Sequence, residues 1–567
     1  MSIAIRNPIP GVVYASADDA AAWLAAGDWL DMTLGAAVER GALNWGDRPA
    51  FISDERTLTF RDLESESAQL AAGFLKHGFK PGERLIMQLS TSVDTVVIMV
   101  ALHRAGLIPV CSIPQYREIE IRKLVKLSGA TGYVVQNDGG KFDLPAFAAR
   151  MQAELPQLAT IVVSGPERPE IGPGAGALAA SVAPGEAAAM LADVPVAPGD
   201  VISFQLSGGT TGVPKIIPRF HAEYLGHALS GMRSFGYDGS SRLVWPLPLL
   251  HNAAQLYAML PPILLGSSTV LMPRLDMARM FELIEEQRVT HALSIGPVAG
   301  QILGYRGLRE HDLSSLKVFG TMNNAHALEA AIGVPSVNFY GITEGMLLGS
   351  GPEESVTLRH FSNGITGAAT DRFRLVDPET RQPVPEGHAG EFAFRGPSSL
   401  RAYYAAPEET AKVLDDEGFF FSGDIMAPVT VDGGTAFLFQ GRTRDNINRG
   451  GEKIGCEEVE ALLVKHPAVA DAKLVAMPDP IYGEKGCLFV IPAADAKAPS
   501  VGETVEFLVG QGLAKFKCPE RIETIDEFPV TRVGKLDRGA LRKLIADKIS
   551  EEAGAEPRSP HSTSQGA

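Results

Sequence analysis

LSGGTTGVPK, residues 206–215, sets three glycines and three hydroxyl side chains ahead of a single lysine. Gly208, Gly209 and Gly212 let backbone N–H groups approach an anion closely, and Ser207, Thr210 and Thr211 add hydroxyl donors. These are the materials of a loop that holds a polyphosphate. A Walker-type loop puts Lys and then Ser or Thr directly after its last glycine. Here Val213 and Pro214 come before Lys215, so the loop is of another kind. The preceding run VISFQL, 201–206, reads as the strand that delivers it. Taken alone, the same ten residues also serve as a simple turn after a strand.

Working outward, extended and helical patterns alternate. RLIMQLS (84–90) reads as a strand, and VDTVVIMVALHRAG (93–106) as a helix ended by Gly106. LIPVCSI (107–113) is extended, EIEIRKLVKLSG (118–129) is an amphipathic helix capped by Gly129, and TGYVVQ (131–136) is a strand. The alternation predicts an α/β domain with largely parallel sheets. Near residue 390 the pattern changes to short aromatic-rich runs, EFAFRG (391–396) and TAFLFQG (435–441), which predict a small antiparallel or β-barrel-like unit. Beyond GRTRD (441–445) the helix-like CEEVEALLVKH, the strand-like AKLVAM and CLFVIP and the helix-like TVEFLVGQGL predict a small α+β domain. The expected organisation is a large N-terminal domain over 1–443, a mobile C-terminal domain over 444–549, and a disordered tail over 550–567.

A chain of 567 residues exceeds one hydrophobic core. Its net charge of −16 argues against general affinity for nucleic acid or anionic membranes. The four cysteines form no CxxC pair, which disfavours a zinc site and suits a reducing cytoplasm. The most apolar stretch, YAMLPPILLGSSTVLM (257–272), is shorter than a membrane span and broken by Pro261, Pro262 and Gly266, so it reads as buried core. A homodimer is compatible with the sequence.

Four further stretches join the loop: YGITEG (340–345), FFFSGD (419–424), GRTRDNINRGGEKI (441–454) and PVTRVGKLDR (529–538). Together, in this order and spacing, they resemble the adenylate-forming superfamily of acyl-CoA synthetases, peptide-synthetase adenylation domains and luciferases. Within it, QLSGGTTGVPKIIPRFHAEY, LPLLHN and DNINRGGEKIGCEEVE resemble stand-alone aryl-acid AMP ligases, those of 2,3-dihydroxybenzoate and salicylate. The likeness runs from about residue 20 to 548.

The resemblance implies a two-step reaction. A carboxylate attacks the α-phosphorus of ATP, releasing pyrophosphate, and a thiol then displaces AMP from the acyl-AMP. It implies Lys535 as the adenylation lysine, Glu344 as the Mg2+ ligand, and Thr343 at the α-phosphate. ATP would further meet Ser207, Gly208, Gly209, Thr210, Thr211, Gly212 and Lys215. Tyr340 and Gly341 would lie at adenine, Asp424 at the ribose hydroxyls and Arg442 at the ribose or phosphate. Arg444 and Asp445 occupy the hinge, and Gly450 and Gly451 the pantetheine tunnel.

For the acid pocket the resemblance implies His251, Asn252, Tyr257, Met322 and Asn323. The positions after Asn252 (Ala253, Ala254, Gln255, Leu256, Tyr257) and the stretch FGTMNNAH depart from the dihydroxybenzoate pattern. That leaves salicylate, another monohydroxylated benzoate, plain benzoate or a nitrogen heteroaromatic acid open. The implied thiol is the phosphopantetheine of a separate carrier protein. An aryl-CoA ligase using coenzyme A is the alternative, and a non-catalytic nucleotide-binding protein is a third reading that the presence of Lys535, Glu344 and Asp424 disfavours.

Overall fold

The computed structural model describes residues 3–207, 214–295, 298–322, 324–431, 434–442, 446–463, 465–493, 496–529 and 536–555. They divide into two units, the first running to Arg444 and the second beginning at Asp445.

In the first unit the short apolar runs become two sheets. One has six strands in the order Thr160–Ser164, Gly132–Gln136, Arg84–Gln88, Ile108–Cys111, Val201–Ser207, Lys215–Phe220. All pair in parallel except the last two, which are antiparallel and put Ser207 opposite Lys215. The other has seven strands in the order Ser336–Asn338, Val318–Thr321, His291–Ser294, Arg242–Trp245, Ser268–Leu271, Pro49–Ile52, Thr57–Thr59. Its parallel strands are buried over nearly their whole length, which is why they read as continuous β-branched and aromatic runs.

Two helices join the sheets into one core. Val93–Arg104 is buried at every residue but Asp94, and His221–Arg233 at all but two. A helix apolar all round belongs in an interior, and VDTVVIMVAL satisfies that condition. The charged end of the first is met by acids, since Arg104 pairs with Glu39 and Glu64 at 3.1 and 3.0 Å. The expected helix ends hold: Gly129 caps Glu118–Ser128 in the left-handed region at φ 64°, where glycine carries no steric penalty.

The aromatic-rich segment forms an antiparallel meander of Arg372–Val376, Gly390–Arg395, Phe420–Val431 and Gly434–Arg442. Phe392, Phe394, Phe420 and Phe437 fill one face, together with Tyr340 and Tyr403. In the second unit, Gly483–Pro492 is the central strand, antiparallel to Val469–Asp479 and parallel to Arg521–Thr524. The helix Arg538–Ala555 supplies Leu541 and Ile545 to its core. That helix reaches past the expected start of the tail. Residues 550–555 are helical, held by the Arg521–Glu552 ion pair at 2.6 Å, and the remainder of the tail lies outside the described residues. Among the described residues no helix is long and apolar enough to cross a membrane.

Candidate active site

Parallel strands present their ligand-binding loops at their carboxyl ends. Val318–Thr321 leads into Met322, Ser336–Asn338 into Phe339 and Tyr340, and Arg242–Trp245 into the segment ending at Asn252. A cavity of about 640 Å³ lined by Arg233, Lys317, Pro335 and Ser350 lies instead at the amino ends of two of these strands, so it is a separate feature.

On the expected nucleotide side, Tyr340 and Asp424 meet. The Tyr340 hydroxyl donates to Asp424 Oδ2 at 2.6 Å, and both side chains are buried. The rings of Tyr340 and Phe439 lie within 26° of parallel with centroids 6.3 Å apart. Asn363 fixes this corner. Its Nδ2 donates to the carbonyls of Met322 and Phe339 at 3.0 and 3.1 Å, and its Oδ1 accepts from the Phe439 N–H at 2.8 Å. Phe339 itself packs in the core against Phe235 and Tyr257, leaving Tyr340 as the ring on the site side.

The turn at 342–345 is sewn to the segment 398–400. Leu400 N–H donates to the Glu344 carbonyl at 2.7 Å. Gly345 has φ 123°, and a Cβ there would fall 1.7 Å from the Ser398 carbonyl oxygen, so only glycine fits. Arg219 completes the seam, donating to the carbonyls of Thr343 and Ser398. The Glu344 carboxylate is thereby delivered into a buried position where its Oε1 accepts from the Tyr403 hydroxyl at 3.0 Å. Lys215 stands beside the same ring, its ammonium 4.6 Å from the Tyr403 centroid.

Arg219 and Glu223 form a buried pair one turn apart, 3.0 Å long and exposed by 2% and 0%. Burial pushes the Glu223 carboxyl upward in pKa, and the guanidinium opposes that. Removing one partner of such a pair strands the other. Arg219→Met is expected to destabilise the first unit by about 3–5 kcal/mol in urea unfolding.

On the expected acid side, Tyr224 on the same helix donates to Asn252 Oδ1 at 2.9 Å. That contact takes up the Asn252 amide oxygen, and the amide N–H2 meets no acceptor among the described residues. His251 caps the short helical turn after it, its Nδ1 accepting from Ala253 N–H at 3.3 Å. Gln255–Met259 then form a π turn, a geometry that concentrates at functional sites. Tyr257, inside that turn, is buried edge-on to Phe235 and Phe339 at 6.0 and 5.8 Å between centroids. Its hydroxyl has no partner among the described residues, and burial raises its pKa. A Cβ built on Gly341 would sit 3.8 Å from that hydroxyl, which brings the acid side up to the nucleotide side.

Residues 38–404 match the AMP-binding enzyme family, and residues 458–535 match its C-terminal domain. This chain belongs to the AMP-binding enzymes. It is 34% identical over 534 residues to the 2,3-dihydroxybenzoate-AMP ligase of Bacillus subtilis (strain 168), covering 92% of this chain and 95% of the relative. It is 30% identical over 537 residues to the salicylyl-CoA synthase / salicylate adenylyltransferase of a Streptomyces species, covering 92% and 95%. The apo structure of Mycobacterium smegmatis MbtA superposes with TM-score 0.70 at 26% identity, covering 94% of this chain and 98% of that one.

In this AMP-binding enzyme several predicted positions are brought together: Tyr340 with Asp424, Glu344 and Lys215 on either side of Tyr403, and Tyr257 with Gly341. Ser207 ends its strand with a buried hydroxyl that has no partner among the described residues. Arg442 pairs through its backbone with Asp424. Gly450 and Gly451 make the tight turn between Asn446–Arg449 and Glu452–Gly455, with φ of 60° and 96°. Gly208, Gly209, Thr210, Thr211, Gly212, Asn323, Arg444, Asp445 and Lys535 lie outside the described residues, as does the Arg442 side chain.

Sequence reading passed over Arg219, Tyr224, Gln255, Asn363, Tyr403 and Glu409. For Arg219 a signal existed: a charge inside the apolar run IIPRF, with Glu223 four residues on. Gln255 has a buried amide oxygen without a partner. Asn363 stands before Gly364, a pairing that by itself suits a turn, whereas its three side-chain hydrogen bonds are all long-range.

Among the described residues no group of three or more His, Cys, Asp or Glu could hold a metal alone. Mg2+ takes one or two carboxylates and otherwise phosphate and water oxygens. Glu344, with one oxygen steadied by Tyr403, has the donor chemistry for that share.

Proposed function

We propose that this enzyme activates a ring-substituted aromatic acid with ATP and passes the acyl group to a thiol. The observation that supports the proposal is Asn252, whose amide oxygen accepts from Tyr224 and whose N–H2 meets no acceptor among the described residues. A buried amide donor is best satisfied by an acceptor on the substrate, such as a ring hydroxyl oxygen or a ring nitrogen. The unpartnered Tyr257 hydroxyl adds a second polar contact in an otherwise aromatic wall.

The acid carboxylate attacks the α-phosphorus, the α–β bridging bond breaks, and pyrophosphate leaves. Lys535 and Lys215 would balance the charge gathered on the phosphoryl oxygens, and Thr343 would donate to the α-phosphate. Bound Mg2+ would supply further charge neutralisation, held by Glu344. Asp424 would accept from the ribose hydroxyls while Tyr340 fixes its other face. In the second step a thiol loses its proton, its sulfur attacks the acyl carbonyl, and AMP departs. The acceptor proposed is the phosphopantetheine of a separate carrier protein reaching past Gly450 and Gly451, after rotation about Arg444 and Asp445.

Acid-dependent ATP–pyrophosphate exchange tests the reading across salicylate, 2,3-dihydroxybenzoate, 3-hydroxybenzoate, picolinate, benzoate and a medium-chain fatty acid. Strong exchange with one ring-substituted aromatic acid is expected; exchange with the fatty acid alone would overturn it. Supplying coenzyme A or a phosphopantetheinylated carrier afterwards identifies the acceptor, with faster turnover on coenzyme A overturning the carrier reading. Asn252→Leu is expected to lower kcat/KM for the hydroxylated acid by about 10²-fold or more, and for benzoate by less than tenfold. Equal losses would remove Asn252 from ring recognition.

A further inference from the structure

Lys215 follows the glycine-rich loop, yet its side chain is only 10% exposed. Two groups hold it. Glu409 Oε2, from the turn of helix Pro407–Ala411, lies 2.9 Å from the ammonium, and the face of Tyr403 lies 4.6 Å from it. The Tyr403 hydroxyl donates to Glu344 at 3.0 Å. An acid, a base, an aromatic ring and a second acid thus form one line ending at the carboxylate read above as the metal ligand.

Glu409 has a second cation. Lys412, three residues on and 60% exposed, also pairs with it, and the two lysines together hold the Glu409 carboxyl below its ordinary range, Lys412 contributing most. Glu409 therefore keeps a partner when Lys215 leaves. Lys215 has no such second anion among the described residues.

We propose that Glu409 is a positioning residue that stands in for the ATP polyphosphate. It holds Lys215 against Tyr403 in the nucleotide-free enzyme and yields it to phosphate when ATP binds. The exchange replaces a carboxylate by a more highly charged anion at the same ammonium, and Lys412 limits what Glu409 loses. Tyr403 stays beneath the lysine throughout, so a single ring sets both the approach of Lys215 and the orientation of Glu344. The inference rests on the ATP reading of the loop given above.

The test is the affinity of the full-length protein for a non-hydrolysable ATP analogue with Mg2+, measured by calorimetry. Breaking a part-buried ion pair that opposes binding is worth about 1 kcal/mol, so Glu409→Gln is expected to tighten binding about fivefold. Lys215→Ala is expected to weaken it about tenfold or more. The double variant is expected to match Lys215→Ala, because without the ammonium Glu409 has nothing to withhold. Glu409→Asp keeps the charge but withdraws the carboxylate by one methylene, and is expected to fall between the parent and Glu409→Gln.

Unchanged or weaker binding in Glu409→Gln, with Lys215→Ala still impaired, would overturn the inference and leave the ATP site standing. Equal tightening by Glu409→Gln in the Lys215→Ala background would also overturn it, since a general repulsion of ATP would then be the cause. Absence of analogue binding by the parent protein would overturn the proposed function itself.

Discussion

Glu344→Gln is expected to reduce acid-dependent ATP–pyrophosphate exchange by about 10²–10³-fold while leaving unfolding almost unchanged. The substitution preserves shape and the hydrogen bond to the Tyr403 hydroxyl, because the glutamine oxygen accepts at the same 3.0 Å position. What it removes is a negative charge in a buried site. A neutral amide is a poor ligand for a hard divalent cation beside phosphate, so the loss falls on the charged transition state more than on the resting fold. Raising Mg2+ should recover part of the rate if the carboxylate serves the metal. No recovery on raising Mg2+, or a loss under tenfold, would remove Glu344 from the metal-ligand role.

Lys535→Ala is expected to suppress acyl-AMP formation by a similar or larger factor, about 10³-fold, and to spare transfer from supplied acyl-AMP to a thiol. The reasoning is electrostatic. Only the first step brings a carboxylate onto a phosphorus that already carries negative oxygens, and a lysine ammonium between them removes the repulsion where it is greatest. In the second step an uncharged carbonyl is attacked, and the same cation has far less to offset. Measuring the half-reactions separately makes the distinction direct: parallel losses in both would refute the assignment.

The sequence was most readable where local pattern and burial agree. VISFQL, RLIMQ and GYVVQ are interior strands of one sheet, so apolar residues dominate them, with Gln88, Ser203 and Gln205 as buried polar exceptions. The adenylating motifs were legible as motifs, and the structure joins Tyr340 to Asp424 and sets Glu344 beside Tyr403. The bracing of those motifs was not legible. Arg219 reaches Thr343 and Ser398 across separations of 124 and 179 residues, and Tyr224 reaches Asn252 across 28. No periodicity records such contacts. The end of the last helix was misread because EEAGA looked too polar to persist, while the Arg521–Glu552 pair that holds it joins residues 31 apart.

The π turn at Gln255–Met259 bears on how specificity transfers between relatives. One residue more per turn shifts every later side chain by about 100° around the helix axis relative to a regular α-helix. Tyr257 lies inside that turn. A substrate code built by counting positions from Asn252 therefore holds only among chains that share the turn; across the others, equal alignment columns point to different walls.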